Sequence, residues 1–327
     1  VHVIQRLVGR RAHGRLGVAG IHHQRVAGQR LVLAVYLQRK GELVGDGLVQ
    51  VFKRLRASRV LEVDDLLFGL AEGVRPEAAI GYSLGESSGL FALDVWNSID
   101  DLHERLSTWP LFTTELSGPM NGILRAWEKK GVDVSQFRGK PFWLTSMLVT
   151  APENVIPHLK DEPLVHLAII NAPDECVISG EASACKRVIE KVKCSAHVTP
   201  FDVAVHVPEV EEVVDQYREI HTLPTKTPEG ITYYSSGTGV PYVVTSESAA
   251  QSIVDQAVRM VDFPALVRRA YADGVRIFLE VGPRGSCTRW IDKILEGKEY
   301  LAIASDRKGR SELVQAYKLA DVQANEQ

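Results

Sequence analysis

The chain has no apolar run of about 18 residues, which excludes a conventional membrane-spanning helix. No secretory leader is read at its start. Cysteine is scarce: Cys176, Cys185, Cys194 and Cys287 are the only four, and none has the paired spacing of a metal site. No bound metal is expected, and the thiols read as reduced and buried in a cytoplasmic protein. A net charge of only −3 gives no general push toward nucleic acid or a membrane surface. Internal repeats and low-complexity tracts are also missing. What is there, 45% hydrophobic and 24% charged residues over 327 positions, describes a globular chain of one large domain or two unequal ones.

Residues 1–60 have absences of their own: no proline, no asparagine and no methionine. They hold ten Arg and two Lys against one Asp and one Glu, a net charge of +10 that leaves −13 on the remainder. A basic arm for acidic partners is one reading. The favoured one is that the segment is not the native beginning of the domain, being non-native or disordered. Its arginines are scattered among Val, Leu and Gly and form no amphipathic stripe.

The rest of the chain is organised around Gly81-Tyr82-Ser83-Leu84-Gly85, a G-x-S-x-G pattern. An apolar strand precedes it and a small-residue helix from Ser87 follows it. A nucleophile elbow needs that arrangement, because the serine sits in a strained turn where strand and helix backbones nearly touch. The turn aims a helix N-terminus at the serine, so the Leu84 amide is a candidate oxyanion donor.

Downstream, a helix is expected over 61–74, another after Asn97-Ser98 carrying Leu102 and Leu106, and another over 121–130. Residues 142–203 read as β-α-β-β-α-β, with a last strand over 196–203; this is the ferredoxin-like order, inserted in a larger α/β body. That body is expected to comprise 61–141 and 204–310, with helices over 209–220, 246–258, 263–273 and 287–295 and strands over 231–235, 275–281 and 301–305. Residues 311–327 belong to a C-terminal helix and linker, with the helix over 309–321.

A serine hydroxyl needs a base. His103, His158 and His221 fall on polar helix faces or loops and read as solvated, while His166 and His197 lie inside strands. His206 follows the apolar Val203-Ala204-Val205 just before Pro208, a strand end from which a side chain can reach a cleft. The plain alternative is a surface histidine before a proline.

Gly81 to Leu93, Asn171-Ala172-Pro173 through Gly180, His206-Val207-Pro208 and Glu280-Val281-Gly282-Pro283 stand in one order. In that order the chain resembles malonyl-CoA:acyl-carrier-protein transacylase-like acyltransferases, above all the acyltransferase domains of type I synthases for polyunsaturated fatty acids and heterocyst glycolipids. The resemblance covers roughly residues 60–310. It implies an α/β-hydrolase-like parallel sheet carrying the small subdomain, and a Ser–His dyad of Ser83 as nucleophile and His206 as base. It implies that the main-chain carbonyl of Gln256, ahead of Val261-Asp262-Phe263, orients the histidine. It implies an acyl-CoA substrate, malonyl by family default, with no bound cofactor. The partner it implies is an acyl carrier protein domain bearing phosphopantetheine, within a larger multidomain synthase.

Three departures stand out. Tyr82 replaces the family's usual histidine and is a candidate substrate contact. The family's G-Q-G-x-Q motif, source of a second oxyanion donor and the first strand, has no adequate match in residues 1–60. The arginine that reads a malonyl carboxylate in the family is replaced by Ser117-Gly118-Pro119-Met120, so Ser117, Arg105 and Arg125 are the nearest candidates for that task. Two other functions compete. A serine thioesterase or esterase would use the same nucleophile with water, Asp202 being the available acid. A catalytically impaired docking domain would account for the absent motif.

Overall fold

Strand β2 (Ala78–Tyr82) is buried along its whole length. Its side chains alternate between two cores, Ala79 going to one and Ala78, Ile80 and Tyr82 to the other. A strand covered on both faces belongs in the middle of a parallel sheet. The structure, a computed structural model, describes residues 30–36, 76–97, 99–199, 203–282 and 285–304. The helices expected over 61–74 and 309–321, and Asp202, lie outside the described residues.

Six strands form the large sheet, in the order β11 (Leu301–Ala304), β10 (Val275–Val281), β1 (Arg30–Tyr36), β2, β7 (Thr232–Tyr234) and β8 (Pro241–Tyr242). The first five run parallel and β8 is antiparallel to β7. β1 corrects the reading of residues 1–60 as lying outside the fold. Seven of them form a strand that lies between β10 and β2, with Tyr36 in register with Tyr82 and Leu33 with Leu279. Leu31 to Tyr36 is an apolar run of strand length, and averaging charge over sixty residues conceals it.

The second sheet has the order β6 (Ser195–Val198), β3 (Trp143–Val149), β5 (Glu175–Glu181), β4 (Val165–Ala172) and β9 (Val261–Asp262). Its first four strands pair antiparallel, and helix Ala182–Val192 joins β5 to β6. Glu181 starts that helix by accepting from the Ser183 and Ala184 amides. Leu148, Val165, Cys176, Ile178, Cys185 and Val188 fill the core between helix and sheet. Burial pushes the Cys176 and Cys185 thiols up to about 12, which makes them inert packing groups. The last strand is shorter than expected: β6 stops at Val198, and Val203 instead bridges Ser117 in the larger unit. The fifth strand, β9, comes from residues beyond 203 and runs parallel to β4, tying the two sheets together.

The other face of the second sheet packs on the large one. Ala168, Ile169 and Val177 share a core with Tyr82, Phe263, Phe278 and Trp290. Among the described residues no helix is long and apolar enough to cross a membrane. His221 is a further correction: it is buried, stacks on Tyr217 at 4.8 Å and donates from Nδ1 to the Tyr217 carbonyl. At i+4 from Tyr217 it falls on the inner face of helix Val214–His221, where burial lowers its pKa to about 4.

Candidate active site

Ser83 sits between β2 and helix Gly85–Ala92 with φ 54°, a left-handed conformation that costs a non-glycine residue energy. The turn is so tight that a Cβ on Gly81 would lie 2.2 Å from Glu86 N and Cα, so only glycine fits there. Leu84 is the N-cap residue, which puts its backbone at the positive end of the helix.

His206 also has a left-handed backbone, φ 62°, and is buried. Its approach is fixed on both sides. Before it, Val203 bridges Ser117 and the Ala204 amide donates to Leu116 O at 2.8 Å. After it, the Val207 amide donates to Ala257 O at 3.2 Å. The ring lies between two partners: Nε2 is 2.8 Å from Ser83 Oγ, and Nδ1 is 2.6 Å from Gln256 O. A carbonyl can only accept, so Nδ1 carries the hydrogen and Nε2 is left free to take the serine proton. The supply of carbonyls has a simple origin. Helix Ser246–Val258 ends two residues after Gln256, and the last four C=O groups of a helix have no internal partner. Two of them, on Gln256 and Ala257, receive the His206 segment.

Burial lowers the His206 pKa to about 4, against the opposing pull of the Gln256 hydrogen bond. The imidazole is therefore neutral, as a base must be, at any pH well above that value. If it is the base, acylation by an acyl-CoA should stay flat from pH 8 down to about 5 and fall only as pH approaches 4. Single-turnover rates across that range check this; a limb with its midpoint near 6.5 would contradict it.

The other expected site residues fall elsewhere. The Tyr82 hydroxyl donates to Asn171 Oδ1 at 2.6 Å, and Asn171 Nδ2 and Trp290 Nε1 both donate to Glu175 Oε1, at 3.0 and 2.9 Å. Its ring packs edge-on to Phe263 and against Trp290. Tyr82 thus anchors the strand before the serine to β4 and β5, which corrects its reading as a substrate contact. Arg105 donates to the carbonyls of Glu219 and Thr222, at 2.8 and 3.0 Å, capping helix Val214–His221. Arg125 is half exposed and pairs with Glu115 at 2.5 Å and Glu212 at 3.2 Å. Both arginines are corrected as carboxylate readers, because these partners occupy their guanidinium groups. Ser117 is buried and serves the backbone approach to His206. Among the described residues no group of His, Cys, Asp or Glu could hold a metal ion.

Two buried carboxylates beside the site gave no sequence signal beyond an acidic residue in apolar company. Glu209, three residues after His206, accepts from Trp127 Nε1, Lys130 Nζ and His166 Nε2. Burial opposes its ionisation, but His166 and Lys130 outweigh it and hold the pKa at about 2. Glu86, three residues after Ser83, is 4% exposed and is bonded to Ser236 and Ser252.

A family model described as the acyl transferase domain matches residues 145–322, more than half of the chain, and takes in His206 and Gln256. A polyunsaturated fatty acid synthase polypeptide of Thraustochytrium sp. is 27% identical over 225 residues, covering 64% of this chain and 11% of that protein. Phthioceranic/hydroxyphthioceranic acid synthase of Mycobacterium tuberculosis is 27% identical over 228 residues, covering 68% of this chain and 10% of that protein. The chain thus spans about a tenth of the length of these curated relatives. The solved structure of the malonyl CoA-acyl carrier protein transacylase from Coxiella burnetii aligns over 93% of this chain and 99% of its own, with a TM-score of 0.65 at 16% identity. That likeness establishes a shared mixed α/β fold.

Proposed function

The chain belongs to the acyl transferase domain family, and we propose that it moves an acyl group from coenzyme A to the phosphopantetheine thiol of an acyl carrier protein through an ester on Ser83. The observation that carries this reading is the 2.8 Å contact of Ser83 Oγ with His206 Nε2, with Nδ1 held on Gln256 O. His206 takes the Ser83 proton as Oγ attacks the thioester carbonyl. The Leu84 amide, at the helix N-terminus, donates to the oxyanion. The intermediate collapses, the C–S bond breaks, and His206 returns its proton to the departing thiolate. The carrier thiol then repeats the sequence in reverse, giving its proton to His206 and taking the acyl group. The helix end at Gln256 favours this cycle, because its partial negative charge stabilises the imidazolium that forms.

The large sheet is read as an α/β-hydrolase-like body and β3 to β6 as a ferredoxin-like insert, with the acyl group in the cleft between them. The named relatives are synthases many times longer, which supports a place for this domain within a multidomain synthase. The test is incubation of the full chain with labelled acyl-CoA and a phosphopantetheinylated carrier protein. Label should appear on the carrier thiol. Release as free acid would indicate a hydrolase, and no turnover a docking domain.

Selectivity for malonyl through Arg105 or Arg125 does not follow. A malonyl carboxylate in a partly dry cleft needs a cationic partner, or it costs several kcal/mol. Both arginines are paired elsewhere. Malonyl-CoA is therefore not expected to outcompete acetyl-CoA by more than about tenfold, a gap of about 1.4 kcal/mol. Arg105→Ala and Arg125→Ala should leave that ratio unchanged. A strong malonyl preference lost on either substitution would contradict this.

A further inference from the structure

Glu86 lies in the first turn of helix Gly85–Ala92, yet it faces the interior. Its Oε2 accepts from the Ser236 amide at 3.0 Å, and its Oε1 accepts from the Ser252 hydroxyl. The Ser236 hydroxyl in turn donates to Gly81 O at 2.5 Å. All three side chains are buried, at 3–4% exposure. Such a trio is costly to bury and stays only where each group is bonded.

These bonds lead from the serine to the histidine's support. Ser252 lies one turn before Gln256 on helix Ser246–Val258. Gly237, next to Ser236, presses on the same place: a Cβ there would lie 2.3 Å from Gln256 N. The elbow at Gly81 and Glu86 is thus joined by two short paths to the residue whose carbonyl holds His206 Nδ1.

We propose that Glu86, Ser236 and Ser252 form a brace that sets the separation of Ser83 from His206, acting as positioning residues that do not touch the substrate. The inference rests on the Ser83–His206 reading above. A brace of this kind matters because proton transfer depends on heavy-atom distance, and a misplacement of about 1 Å can cost on the order of 10²-fold in rate. Burial raises the Glu86 pKa against the opposing pull of its Ser252 and Ser236 hydrogen bonds, and glutamine is the substitute nearest to it in size and shape.

The test is single-turnover acylation of the full chain by malonyl-CoA, followed by intact mass and by mapping of the adduct. Glu86→Ala and Ser236→Ala should lower the limiting acylation rate by about 10- to 100-fold, leaving the half-saturating malonyl-CoA concentration within about twofold. Glu86→Gln should restore the rate to within about threefold of the parent. Ser236→Ala keeps the backbone amide and removes one hydroxyl, so it serves if Glu86→Ala does not fold. Folded alanine variants that acylate at the parent rate would overturn the brace, as would a loss seen only in half-saturation. If the parent carries its adduct on a residue other than Ser83, the site assignment fails and the brace fails with it. If the adduct is on Ser83 and the variants are unaffected, only the brace fails.

Discussion

Replacement of Ser83 by alanine is expected to abolish the covalent acyl adduct and to lower acyl transfer by at least about 10⁴-fold, the scale of losing a nucleophile. The fold should survive. Alanine keeps the Cβ, so the cost of the left-handed backbone at φ 54° is the same in both proteins. What goes is one hydroxyl and its hydrogen bond to His206 Nε2. A typical hydrogen bond contributes about 1 kcal/mol net, so the thermal midpoint should move by only a few degrees. Intact-protein mass spectrometry after acyl-CoA treatment reads the adduct directly. An adduct that persists in Ser83→Ala would remove Ser83 from the mechanism.

Loss of His206 should slow acylation by about 10²–10⁴-fold, the usual worth of general-base help. The substitution needs care, because His206 is buried, has φ 62° and satisfies Gln256 O. Alanine leaves that carbonyl without its donor, at about 1–3 kcal/mol. Asparagine tolerates the left-handed backbone and can still donate. Both His206→Ala and His206→Asn should therefore be slow, with His206→Asn the more stable. Gln256→Leu keeps the main-chain carbonyl and should stay within a few-fold of the parent. A fall of less than threefold in His206→Asn would point to another base.

The elbow was legible because its requirements are local. A serine at positive φ, a glycine two residues earlier and a following helix lie within a dozen positions, and each leaves a mark on residue choice. His206 was expected at a strand end, but the strand stops at Val198 and only an isolated bridge at Val203 leads into it, while Gln256 was legible only through family resemblance, because the contact that matters uses its main chain. The brace was not legible: Glu86 meets Ser236 and Ser252 across 150 and 166 positions, and three common polar residues at that range have no pattern. Arg105 and Arg125 were misplaced for a related reason. Proximity in sequence to the elbow says nothing of direction, and helix-end carbonyls and surface carboxylates compete for a guanidinium. Tyr82 was misjudged because strand alternation decides where it points. It shares a face with Ala78 and Ile80 and therefore enters the core with them.

The most direct test of the central claim is a pulse and chase on the full chain. Labelled acyl-CoA is added briefly and excess donor removed; a phosphopantetheinylated carrier protein is then added while the label is followed by peptide mapping. Label is expected first on the peptide containing Ser83, then on the carrier thiol, at a rate no slower than steady-state turnover. Label that reaches the carrier without passing through Ser83, or that leaves Ser83 only to water, would contradict it.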